Sequence, residues 1–313
     1  MVFIYVRTII TVLLKGFRVK KKITVVIPHY NNVSGLYKLV NSIPKSEMIE
    51  IVIVDDATDD ARSKLLKFEE RCTVHFSEKN IGAGACRNVG LSYVNSEWII
   101  FADSDDYFLP NAFDIFGAYT ESKEDIIFFN VDSIDLTTGQ KSNRCRAVND
   151  LVERLVDKGN EEIRYSSAVP WGKMIKSKLI FTYNIKFDEV VCSNDVFFSL
   201  KAGHLAESIK GSNKAVYMVT RRSGSLTTNK SHACLTCRMD VSINVNKYLY
   251  AIDEKYYQTS YLKLLLMYRK VMPGSSFYKL SKDVILGRLK IFPKNFIGVN
   301  LFSRLMDIYK NNM

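Results

Sequence analysis

The chain has 313 residues, 47% of them hydrophobic, with 44 Lys or Arg against 33 Asp or Glu and a net charge of +11. That length and apolar content suffice for a large buried core and suit one catalytic domain with an appendage. The surplus charge lies at the two ends, and no recognition motif accompanies it, which argues against a nucleic-acid partner.

Residues 1–22 hold six basic and no acidic residues, residues 230–313 hold fourteen basic and five acidic, and residues 23–229 are mildly acidic at −4. The N-terminal run is mostly apolar through Leu14, but Arg7 interrupts it, and it falls short of the roughly 20 apolar residues that cross a bilayer. Lys15, Arg18, Lys20, Lys21 and Lys22 follow the apolar stretch instead of preceding it, the reverse of a secretory signal. Two readings stand. One is an interfacial anchor beside a polybasic patch, with each cation worth about 1 kcal/mol near an anionic surface; the other is a first helix packed on the domain.

A strand is predicted at Ile23-Thr24-Val25-Val26-Ile27, stopped by Pro28, which removes a ladder donor, and followed by His29-Tyr30-Asn31-Asn32. A second, Glu50-Ile51-Val52-Ile53-Val54, is β-branched and runs into Asp55-Asp56-Ala57-Thr58-Asp59-Asp60. A third begins at Trp98 and releases Asp103-Ser104-Asp105-Asp106. Helix-like segments at 33–43, 58–70 and 84–94 separate them, and strands alternating with helices imply a parallel sheet with right-handed crossovers. Clustered carboxylates cannot stay inside such a core, so the three strand ends must open onto a sheet edge. In open α/β sheets that edge binds ligands, and an Asp-x-Asp there suits a hard divalent cation that also holds phosphate oxygens.

Further along, 214–220 reads as a strand ending at Arg221 and Arg222. From His232 onward the pattern is helical, with 257–272 broken by Pro273-Gly274 and later helices at 283–291 and 296–309, all mixing aromatic or aliphatic residues with Lys or Arg. Such helices suit a membrane surface or a lipid-carried acceptor, or a helical cap packed on the catalytic domain. The six cysteines are dispersed and read as reduced thiols. Cys234-Leu235-Thr236-Cys237 has zinc-like spacing but lacks a second ligand pair. His29 lies where it could touch ligand, whereas His75 reads as structural.

In order and spacing, Thr24-Val25-Val26-Ile27-Pro28-His29-Tyr30-Asn31, Asp55-Asp56-Ala57-Thr58-Asp59-Asp60, Asn80-Ile81-Gly82-Ala83-Gly84-Ala85-Cys86-Arg87-Asn88 and Asp103-Ser104-Asp105-Asp106 resemble family 2 glycosyltransferases. The match continues through Val169-Pro170-Trp171-Gly172-Lys173, Ser193-Asn194-Asp195 and Arg221-Arg222-Ser223-Gly224-Ser225, so it covers about residues 23 to 229. The resemblance implies an α/β GT-A nucleotide-diphospho-sugar transferase fold, a Rossmann-like, mostly parallel sheet with flanking helices, plus a C-terminal helical region. The expected organisation is an apolar and basic segment at 1–22, a catalytic domain at 23–229 and a basic helical region at 230–313.

By the same resemblance, the enzyme inverts its sugar and uses Mn2+ or Mg2+, with a UDP-sugar as donor. Its acceptor is a glycan or lipid-linked glycan of bacterial capsule, O-antigen or lipooligosaccharide, and its place is the cytoplasm, peripheral on the inner membrane face. Asp105 is the direct metal ligand, and Asp103 supports the metal or binds the ribose. Pro28, Tyr30, Asn31, Asp55, Asp56 and Arg87 hold the nucleotide sugar. Asp195 is the general base on the acceptor hydroxyl. Trp171 supplies an acceptor-side platform, and Asn194 stands where relatives carry glutamate, which puts in doubt any role for an acid there. The loop after Arg221 and Arg222 closes over the diphosphate. Asp106 and Asp195 can also be read as helix N-terminal residues. Two other functions use similar parts: a nucleotidyltransferase, which would need a Gly-rich loop with lysine that residues 28–35 lack, and a catalytically silent binding module, against which Asp195 argues.

Overall fold

The computed structural model describes residues 21–221 and 230–292. The expected N-terminal anchor up to residue 20, Arg222 with the loop after it, and the helix expected at 296–309 lie outside the described residues.

Strands β1 (Ile23–His29), β2 (Ile49–Asp55), β3 (Thr73–Phe76) and β4 (Trp98–Phe101) alternate with helices α1 (Val33–Asn41), α2 (Ala61–Leu65) and α3 (Gly82–Leu91). β1 pairs in parallel with both β2 and β4, and β2 with β3, so the crossover reading holds for this half of the sheet. The other half is mixed. It contains β5 (Tyr107–Phe108), β6 (Ile126–Asp135), β7 (Lys173–Lys176) and β8 (Ile209–Arg221), in a single sheet of order β3-β2-β1-β4-β7-β6-β8-β5. β7 runs antiparallel to β4 and β6, β8 runs parallel to β6, and β5 pairs antiparallel with β8. α4 (Ala112–Gly117), α5 (Arg146–Lys158), α6 (Ile163–Ser166), α7 (Ser177–Thr182) and α8 (Val196–Leu205) complete the α/β unit.

Both faces of the sheet are covered, which is why β1 reads as a continuous apolar run instead of an alternating one. Val25 and Ile27 pack with Leu36, Phe116 and Phe129 on one side. Val26, Ile99 and Phe101 pack with Leu151, Phe187 and Phe198 on the other. Phe198 stacks on Phe187 with ring centroids 3.8 Å apart and meets Phe101 edge-on at 5.4 Å. Burying such a side chain contributes about 2–3 kcal/mol, enough to fix where α8 starts.

Beyond residue 230 come α9 (His232–Ala251), α10 (Tyr261–Tyr268) and α11 (Gly274–Ile285), whose Met239, Leu264, Tyr268 and Leu280 form a separate cluster. Pro273 is the residue before α11, so Pro-Gly marks a helix start as much as a break. The helix expected at 283–291 lies earlier, ending at Ile285, because Gly287 at φ +68 takes a left-handed turn. No helix among the described residues is long and apolar enough to cross a membrane.

The expectation of six reduced thiols is corrected. Cys192 and Cys234 form a disulfide with Cα atoms 5.7 Å apart, tying the segment before α8 to the first turn of α9. The two lie 42 residues apart, so only the fold brings them together. Cys72, Cys86, Cys145 and Cys237 are free.

Candidate active site

The carboxyl ends of β1, β2 and β4 open onto a cleft of about 1070 Å³. Pro28, Tyr30 and Asp56 line it from the first two strand ends, Asp103, Asp105 and Asp106 from the third, and Arg87 from α3. Trp171, Asn194 and Asp195 line the same cleft from the second half of the chain. Of the candidate site residues singled out in the sequence, Asn31, Asp55 and Arg221 are not on its wall.

Asp55 faces inward. His29 Nδ1 is 2.9 Å from its Oδ1 and the Thr58 amide donates to its Oδ2 at 3.0 Å. Asn32 N–H donates to His29 Nε2 at 3.2 Å, so the imidazole proton is on Nδ1 and points at Asp55. Burial alone would raise the Asp55 carboxyl, but the bonds from His29 and Thr58 outweigh it and leave the group below the usual carboxylate range. Asp56 accepts the amides of Ile81 at 2.6 Å and Gly82 at 3.0 Å, so it caps α3 while bordering the cleft. Asn31 is exposed and donates its backbone N–H to Thr58, whereas Asn32, with no role assigned from sequence, caps α1 through Gly35 and reaches the Ser104 carbonyl at 3.1 Å. Tyr30 is 51% exposed and offers its ring to the cleft.

The Asp-rich loop after β4 is clamped by β8. The Asp103 amide donates to the Tyr217 hydroxyl at 2.8 Å, Thr220 Oγ1 donates to the Asp105 carbonyl at 2.8 Å, and the Thr220 amide donates to Asp106 Oδ1 at 2.7 Å. Asp106 therefore does not begin a helix, as the sequence reading had it; it leads into β5, and burial together with the charges of Asp103 and Asp105 pushes its carboxyl well above the ordinary value. Tyr217 and Thr220 lie in the strand recognised from sequence, but their pairing across more than 110 residues leaves no local signal.

The spacing of Gly84, Arg87 and Asn88 has a physical reason here. These residues share one face of α3, and that face grips the segment before α8. Asn88 pairs with both backbone groups of Phe187, accepting at 2.9 Å and donating at 3.0 Å. Gly84 passes so close that an added Cβ would lie 2.2 Å from the Asp188 carbonyl oxygen. Arg87 donates to Asp103 Oδ1 at 2.5 Å and to Asn194 Oδ1 at 2.9 Å. One guanidinium thus joins the Asp-x-Asp loop to the loop that carries Asp195. An amide accepts this bond without adding charge, which accounts for Asn194 as a workable replacement for a carboxylate.

Ser193 at φ +62 turns the chain, and Asp195 occupies the position before α8 without a side-chain capping bond. Its carboxylate is left for the cleft. Burial raises its proton affinity, opposed by Arg87. Trp171 stacks on Tyr217 with ring centroids 6.2 Å apart and borders the cleft beside it. Gly172 at φ +69 makes the close turn behind it, where an added Cβ would meet Val131 at 2.8 Å. Arg144 and Arg238 also line the cleft and had no role assigned from sequence.

Among the described residues no group of three His, Cys, Asp or Glu side chains is arranged to hold a metal by itself. Asp103 and Asp105 fit a different kind of site, in which one or two carboxylates share a hard cation with substrate phosphates.

The glycosyltransferase GlyA of Streptococcus pneumoniae serotype 4 is 29% identical over 225 residues, 67% of this chain and 32% of GlyA. The poly(ribitol-phosphate) beta-N-acetylglucosaminyltransferase TarS of Staphylococcus aureus is 27% identical over 214 residues, 65% of this chain and 36% of TarS. The chain thus matches about a third of the length of each. The crystal structure of a TarS fragment in complex with UDP-GlcNAc shares the fold with a TM-score of 0.59 at 20% identity, covering 93% of this chain and 90% of that one. The mannosyltransferase PcManGT from Pyrobaculum calidifontis, in complex with GDP-Man and Mn2+, has a TM-score of 0.54 at 14% identity over 94% of this chain and 87% of that one. The model of the family "Glycosyl transferase family 2" matches residues 24–180, half of the chain, and the chain belongs to that family of glycosyltransferases.

Proposed function

We propose that the enzyme transfers one sugar, with inversion, from a UDP-sugar to an acceptor hydroxyl of a bacterial surface glycan. The observation that carries this reading is that acids from opposite halves of the chain, Asp105 and Asp195, border one cleft, and that Arg87 joins the two loops that carry them by bonding Asp103 and Asn194. The acceptor oxygen attacks the anomeric carbon as Asp195 takes its proton, and the bond from that carbon to the nucleoside diphosphate breaks on the opposite face. Pro28, Tyr30 and Asp56 form the nucleotide end, Trp171 and Asn194 the acceptor end. Asp105, supported by Asp103, would hold Mn2+ or Mg2+ together with the diphosphate; bound there, the cation neutralises the leaving charge. TarS, a poly(ribitol-phosphate) beta-N-acetylglucosaminyltransferase with a UDP-GlcNAc complex, supports the uridine donor and a polymeric acceptor.

A lipid-linked acceptor fits the C-terminal region. α11 turns Tyr278, 68% exposed, and Ile285, 84% exposed, to solvent beside Lys279 and Lys282, a combination suited to peripheral contact with an anionic membrane.

The test is release of nucleoside diphosphate from a panel of UDP-, GDP- and dTDP-sugars with Mn2+, with Mg2+ and with chelator. Metal-dependent release from one or two UDP-sugars, greatly reduced in Asp105→Asn, is expected. Equal donor binding by wild type and variant with no turnover by either would instead indicate a silent binding module.

A further inference from the structure

Lys173 is the first residue of β7 and is 3% exposed, yet it lies outside the cleft wall and has no part in the reaction as drawn above. Its Nζ sits 3.5 Å from Ser199 Oγ and 5.3 Å from the centre of the Phe128 ring. Ser199 is on α8, and its amide donates to the Asp195 carbonyl, so the amine lies one helical turn from the candidate base. The Ser199 hydroxyl is itself committed to the carbonyls of Ala168 at 3.0 Å and Val169 at 3.2 Å. A methionine or leucine would fill this space without the several kcal/mol that a buried ammonium costs. An amine kept there needs a reason, and the charge acting on it is that of Asp195.

We infer that Lys173 is a positioning residue for the acceptor base, a buried cation one helical turn from Asp195 that holds this carboxylate ionised and ready to take the acceptor proton. The inference rests on Asp195 being that base. The charged groups acting on Asp195 are Arg87 from α3, Asp103 from the loop after β4 and Lys173 from β7. Arg87 already serves Asp103 and Asn194, whereas among the described residues the charge that acts on Lys173 is that of Asp195. Burial moves the two groups toward each other: it pushes the Lys173 amine down to about 7, opposed by Asp195, and it raises the Asp195 carboxyl. A base and its supporting cation that both titrate closer to neutrality than usual suit proton transfer at physiological pH.

The experiment follows sugar transfer from pH 5.5 to 9 in wild type, Lys173→Met and Lys173→Arg, with donor hydrolysis by water as reference reaction. Losing the cation raises the proton affinity of Asp195, so the acidic limb of kcat in Lys173→Met moves up by about one pH unit, a loss approaching tenfold at the acidic end of the profile that vanishes on the alkaline plateau. Donor KM stays unchanged, and Lys173→Arg keeps the limb at or below its wild-type position. Superimposed profiles, or a pH-independent loss that tracks a lower Tm, overturn the inference. Lysine side-chain NMR on Asp195→Asn needs no change at Lys173: the amine should titrate about one unit or more lower than in wild type, and an unmoved titration also overturns it. Absence of any transfer by the wild-type enzyme would count against the proposed function, not against this coupling, which the NMR titration reads by itself.

Discussion

Gly84→Ala tests whether the grip of α3 on the segment before α8 positions the reaction. The new Cβ would lie 2.2 Å from the Asp188 carbonyl oxygen and 2.9 Å from the Asn194 Cβ, whereas ordinary contact starts near 3.4 Å. Either α3 or the 188–194 segment must retreat by about 1 Å, the scale of misplacement at which a catalytic group loses on the order of 100-fold in rate. Overpacking costs about 1–3 kcal/mol, partly offset by the gain of about 1 kcal/mol when alanine replaces glycine in a helix. The fold should therefore survive with a Tm a few degrees lower. Transfer kcat should fall about 10- to 100-fold. Binding of UDP by calorimetry should change much less, since the atoms the new Cβ meets belong to Asp188 and Asn194 and not to Pro28, Tyr30 or Asp56. Gly82→Ala is the control: Gly82 has φ +86 but nothing within 4 Å of an added Cβ, so it carries backbone strain without a clash. A Gly84→Ala enzyme that transfers at more than half the wild-type rate, or a Gly82→Ala enzyme that is equally impaired, would refute the reasoning.

Asp55→Asn loses the acceptor for the Thr58 amide and should cost about 1–3 kcal/mol in urea unfolding at pH 7. Because the folded-state carboxyl titrates below its ordinary value near 4, the wild-type advantage is complete above about pH 4 and disappears as pH falls through the folded value; an equal deficit at all pH would contradict this. Thiol titration of denatured, unreduced protein should count four thiols of the six cysteines, and Cys234→Ser should lower stability by about 2–4 kcal/mol. Six reactive thiols would dismiss the bridge. Anionic vesicles should retain the wild-type protein and release a Tyr278→Glu, Ile285→Glu variant at least several-fold more readily; unchanged flotation would remove α11 from the membrane contact.

The strand ends were legible because apolar, β-branched runs stopping in carboxylates have few physical solutions, and the parallel half of the sheet followed from them. Its mixed half was not, since β7 has only four residues and the same apolar signal fits either direction of pairing. At the site, the sequence named the acids but not their holders. Arg87 meets Asn194 across 107 residues and Thr220 meets Asp106 across 114, contacts that exist only once the chain is folded. The same holds for Cys192 with Cys234, and it is why Asp106 read as a helix start. Lys173 was visible within Trp171-Gly172-Lys173, but burial is what makes it unusual, and composition around it does not report burial.

The most direct test of the central claim is paired binding and turnover in Asp195→Asn. Donor affinity should stay within about twofold of wild type while transfer falls 100- to 10,000-fold, the usual contribution of a positioned base. Transfer at near wild-type rate in this variant, with the fold intact, would mean that another group takes the acceptor proton and that the cleft does not work as described.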